Sequence, residues 1–131
     1  MMYYNDEDGG LIEPHDENLR KVYHRLLEKY GVNLVLQAHS HTYQRTYPLK
    51  VNEDSEDDPI IKNEDLNNYH ITDGIVIATV GIGGAYPTGM NGDSEYTPVQ
   101  YKDLFGFLNV YVPSDGTRLV GTFYENHHSG K

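Results

Sequence analysis

Apolar side chains recur at Leu19, Val22, Tyr23, Leu26, Leu27 and Tyr30, and steps of three and four residues place them on one face of a helix from Asn18 to Tyr30. Asp16, two residues after Pro14, suits the N-cap, and Gly31 supplies the left-handed residue that closes such a helix. His24 then falls on the polar face, turned to solvent. Past Gly31 the pattern changes to Val32-Asn33-Leu34-Val35-Leu36, a short, mostly apolar run that predicts a buried strand. Helix, glycine and strand make half of an alternating α/β unit, in which ligands gather at the carboxyl ends of the strands.

A second apolar run, Ile75-Val76-Ile77-Ala78-Thr79-Val80, is bounded by Gly74 and Gly81 and is too short for a helix. It predicts a central strand. Gly81-Ile82-Gly83-Gly84 follows with neither the GK[ST] ending nor the GxGxxG spacing of a nucleotide loop, so it reads as a tight turn beside a site. Residues 85–103, with Pro87, Gly89, Gly92 and Pro98, read as a long irregular connection. Phe105 to Val112 and Thr117 to Tyr124 flank the turn sequence Pro113-Ser114-Asp115-Gly116 and predict an antiparallel hairpin over about 105–124. Between the strands, an acidic loop over about 50–70 lacks apolar periodicity and is expected to be an exposed insertion. It lacks the EF-hand spacing, so no calcium site is assigned to it.

With 131 residues, one domain's worth of chain is present, enough to bury a core, and no internal repeat is seen. The net charge of −10 excludes nucleic-acid binding through a basic face. An anionic substrate would need a locally positive site, which bound metal ions supply. The absence of cysteine removes thiolate chemistry and leaves the redox compartment open. No run reaches the roughly 20 apolar residues of a membrane span, so no membrane partner is expected.

The remaining chemistry is concentrated in Ala38-His39-Ser40-His41-Thr42-Tyr43-Gln44-Arg45. In an extended segment residues two apart point the same way, so His39 and His41 can face one pocket while Ser40 turns aside. Neutral imidazoles there could each serve one ion of a two-metal centre, in which one ion activates water and both stabilise phosphoryl oxygens. An accidental His-x-His pair at a strand end is the competing reading.

Tyr30 to Arg45 closely resembles the block YGVDLVLxGHxHxYxR of purple acid phosphatases and related calcineurin-like metallophosphoesterases. Gly74 to Gly84 resembles that family's apolar strand ending in GxGG, and Phe105 to Asn126 resembles its closing hairpin. The resemblance implies an α/β fold, the C-terminal portion of a two-sheet sandwich flanked by helices, spanning residues 1–131. It implies metal ligation by His39 and His41, with two divalent or trivalent ions (iron, zinc or manganese) in the complete enzyme and a phosphate ester as substrate. Tyr43 and Arg45 match motif positions that are not metal ligands; Arg45 would be free to pair with a carboxylate. Ala38 departs from the family's glycine. His15 lies in a loop where a phosphate-holding or proton-donating histidine is expected, and it is carried as a catalytic candidate.

The family's GDxG, GNH[DE] and VxxH motifs do not occur in these residues. The resemblance therefore implies a C-terminal half whose remaining ligands come from a missing N-terminal half or a partner chain. The isolated chain is expected to be inactive, whether it alone holds metal is left open, and sheet edges left bare by the missing part favour a homodimer. A non-catalytic metal-binding or interaction module, and one half of a split enzyme, are the alternatives. Compartment is open, with the resemblance pointing outside the cytoplasm.

Overall fold

The computed structural model describes residues 19–55, 58–87 and 94–126. A π-helical turn, Arg20–His24, runs into a short α-helix, α1, Arg25–Lys29. The helix ends in a Schellman arrangement: Gly31 N–H donates to Glu28 O at 3.0 Å and Val32 N–H to Leu27 O at 3.0 Å, with Gly31 at φ +69°. The glycine stop therefore falls where the sequence places it, while the Asp16 cap lies outside the described residues.

Four strands build the main sheet: β1 (Leu34–Gln37), β2 (Tyr43–Arg45), β5 (Val76–Val80) and β6 (Val99–Tyr101), in the order β1-β5-β2-β6. β5 is interior, parallel to β1 (Gln37 opposite Thr79) and antiparallel to β2. Because β1 and β5 are parallel, the loops after both leave the same end of the sheet. β3 (Leu49–Lys50) and β4 (Ile60–Ile61) form a small ribbon, and β7 (Phe105–Tyr111) with β8 (Val120–Asn126) forms the C-terminal hairpin. Over the described residues the fold is thus a small mixed α/β domain, rich in strands, with one short helix and several sheets and no closed barrel.

The core joins the main sheet to the ribbon. Leu49, Ile75, Ile77 and Tyr96 are buried together, with Leu27, Val35, Tyr47 and Ile61 packed against them. Gly74, at φ +138°, lies against the Leu49 backbone so closely that a Cβ would sit 2.5 Å from the Leu49 carbonyl oxygen. Two stretches read as loops contain strands. Ile60–Ile61 escapes a search for periodicity because only two residues pair, and β6 hides within the 85–103 connection, immediately after Pro98.

The helix corrects the expected burial. Arg20 and His24 are buried, whereas Val22, Tyr23, Leu26 and Tyr30 of the apolar face are exposed, with only Leu27 against the core. The π-turn over Arg20–His24 breaks the steady advance of 3.6 residues per turn on which the expected face was drawn. His24 is accordingly not solvated: its Nε2 donates to the Leu49 carbonyl at 3.4 Å.

The hairpin rests on the main sheet through aromatic rings. Phe123 of β8 stacks on Tyr43 of β2 at 3.9 Å between centroids and 10° between planes, with Tyr101 at 6.0 Å from both. Elsewhere the two layers stand apart. A cleft of about 730 Å³ separates Leu34, Val76 and Ala78 on the sheet from Leu108, Val110 and Val120 on the hairpin.

Candidate metal centre

The residues after β1 do not continue the strand. The backbone bends from His39 to Thr42, and His39 itself sits at φ +87°, one of only two positive-φ residues other than glycine among the described residues. Positive φ costs a side-chain-bearing residue energy and persists where the surroundings over-determine it. The extended geometry that would aim both imidazoles the same way is therefore replaced by a bend. It begins one residue after Ala38, the position where the resembling block carries glycine.

The loop after β5 holds this bend in place. Gly81 packs under it so tightly that a Cβ would lie 1.8 Å from the Ser40 carbonyl oxygen and 3.2 Å from His41 Cα, and Gly81 N–H donates to Thr42 O at 3.1 Å. Only glycine permits that approach. The turn after the central strand thus lies directly against the histidine segment.

Below the bend, polar side chains form a buried network. Thr42 is fully buried; its hydroxyl accepts from Gln44 Nε2 at 2.8 Å and lies 3.0 Å from Ser40 Oγ. Gln37 Nε2 donates to Thr79 Oγ1 at 2.8 Å, and the buried Thr46 hydroxyl accepts from Ile77 N–H at 3.0 Å. Thr42, Gln44 and Thr46 are alternate residues and share one face of β2, which leaves Tyr43 and Arg45 on the other. Buried polar groups that satisfy one another fix side-chain positions more firmly than an apolar core of the same size.

His39 is exposed. His41 is half-buried, and its Nδ1 donates to the Tyr86 carbonyl oxygen at 2.7 Å. Metal-ligating histidines commonly donate their second ring nitrogen in this way, so His41 suits a metal. Among the described residues, no group of three or more histidine, aspartate or glutamate side chains is gathered to hold a metal ion. The described part of the chain thus offers two imidazoles, short of the three protein ligands that a catalytic zinc ion ordinarily takes. His15 lies outside the described residues.

Arg45 takes a different partner from the one expected. Among the described residues it pairs with no carboxylate; it donates to the Leu66 carbonyl and lies over the Tyr69 ring at 5.7 Å. This contact joins β2 to the acidic segment, whose turns are closed by Asn63 and Asp65 accepting from backbone N–H groups two or three residues on. Those N–H donors hold the Asp65 carboxyl below its usual range, and the Asn63 side chain does the same for Asp73. The 730 Å³ cleft, which includes Arg45 in its wall, does not include His39 or His41.

Sequence reasoning misses Tyr86 as a contributor because it acts through its backbone carbonyl, which leaves no residue-type signature. The π-turn that buries His24 is equally silent in the sequence. No family model matches this chain, and no curated protein matches it.

Proposed function

We propose that the chain is part of a metal-dependent phosphohydrolase, a phosphomonoesterase of the metallophosphoesterase type, and that it contributes the half-site His39 and His41. The supporting observation is the seating of the His39–His41 bend on Gly81, which brings the carboxyl-end loops of parallel strands β1 and β5 into backbone contact. Ligand sites form at such ends of α/β sheets. In the complete centre two ions, iron, zinc or manganese, would supply the hydroxide nucleophile and the positive charge that the acidic chain lacks. The remaining ligands of such a centre are not gathered among the described residues.

The cleft between main sheet and hairpin supports the finer reading of the fold as the C-terminal portion of a two-sheet sandwich. Its facing walls carry Leu34, Val76, Leu108 and Val110, apolar side chains suited to a filled core between sheets. A non-catalytic metal-binding module remains the second reading, favoured by the two-imidazole ligand set of the described residues.

The test is hydrolysis of p-nitrophenyl phosphate by the chain alone with added zinc, manganese or iron. Turnover is expected to be negligible, because the described residues gather no ligand set for a complete centre. Turnover that disappears in His39→Ala would show that the chain carries a complete centre and overturn the half-site reading.

A further inference from the structure

We propose that the Tyr86 carbonyl is a positioning group that locks His41 in the Nδ1–H tautomer and so assigns Nε2 as the atom that meets a metal ion. The inference rests on the half-site reading above for the metal, while the tautomer stands on geometry alone. A carbonyl oxygen can only accept, and it lies 2.7 Å from Nδ1, so that nitrogen carries the proton of the neutral ring. The lone pair is left on Nε2, at the far corner of the imidazole. A neutral histidine in water divides between two tautomers; here one is selected before any metal arrives.

The Tyr86 carbonyl lies five residues beyond the Gly81 contact. It belongs to the segment after β5, where Gly81 packs against Ser40 and Ile82 is fully buried, accepting from Gly106 N–H of the hairpin at 3.3 Å. Pro87, which follows Tyr86, fixes its own φ and restricts Tyr86 to extended backbone. The Tyr86 side chain is 87% exposed and contributes little packing, so the residue acts through its backbone. The turn after β5 thereby does two things for one ligand. Gly81 supports the backbone of the histidine segment from below, and Tyr86 orients the ring of His41 from the side.

The test is long-range proton–nitrogen correlation NMR of the full chain labelled at histidine, at about pH 8, where an ordinary imidazole is neutral. The expected spectrum shows His41 as the Nδ1–H tautomer without metal, and added zinc ion alone shifts Nε2. A His41 signal in the Nε2–H form, or averaged between the two, overturns the inference, as does a zinc response at Nδ1. The Nδ1–H tautomer with no zinc response at either nitrogen upholds the positioning role and contradicts the half-site reading, which separates the two failures. Replacing His41 by Nδ1-methylhistidine removes the donor and keeps Nε2. Where wild type binds zinc, this variant is expected to lose about ten- to a hundredfold in zinc affinity; unchanged affinity would show that the carbonyl does not position the ligand.

Discussion

Gly81 is the residue on which the site depends most. A methyl group there cannot avoid the Ser40 carbonyl at 1.8 Å, so Gly81→Ala must push the histidine segment away from β5. The expected cost is about 1–3 kcal/mol, read as a lower urea midpoint, with His39 and His41 resonances displaced. His24 makes a different demand. Burial holds its pKa below the ordinary value of 6.5, against the opposing bond to the Leu49 carbonyl. The unfolded ring then binds its proton more readily than the folded one, so stability is full above pH 6.5 and falls as the pH drops below it toward the folded-state value. Urea unfolding from about pH 8 to pH 5 should show this decline, and His24→Gln should flatten it. Gly81 was legible as a tight turn after the central strand because residue type and position carry that role, whereas His39 and His41 were legible as a candidate pair by type and spacing. His24 was misread as solvated, because its burial follows from a π-turn that periodicity does not reveal.

The hairpin β7–β8 was legible as an element, with strand boundaries close to those observed, since alternating aromatic and β-branched residues around Pro113 to Gly116 leave little choice. Its docking was not legible, because ring stacking between Phe123 and Tyr43 joins residues 80 positions apart. Phe123→Ala removes that stack. The expected loss is about 1–3 kcal/mol, below the usual cost for a fully buried phenylalanine because Phe123 is only partly buried. Near-ultraviolet circular dichroism should weaken in parallel, and an unchanged urea midpoint would mean that the hairpin is held by other contacts. The helix illustrates the opposite case. Its existence and its glycine stop were readable from local chemistry, whereas its buried face depends on tertiary packing.

On the proposed reading, an acidic chain would meet a phosphate ester only through positive charge held at the histidine segment. The α/β character followed from the order of helix, strand and glycine turns, and the interior position of β5 followed from its unbroken apolar run. The order β1-β5-β2-β6 did not, because β2 and β6 are three-residue strands embedded in segments with no strand periodicity of their own. The cleft between the layers was equally invisible, since it arises from how the hairpin leans on one edge of the sheet. The central claim is that His39 and His41 form a metal half-site, and isothermal titration of zinc ion into wild type and the His39→Ala/His41→Ala variant tests it most directly. The account predicts saturable one-to-one binding in wild type that is lost in the variant. Equal binding in both proteins, or none in either, would contradict it.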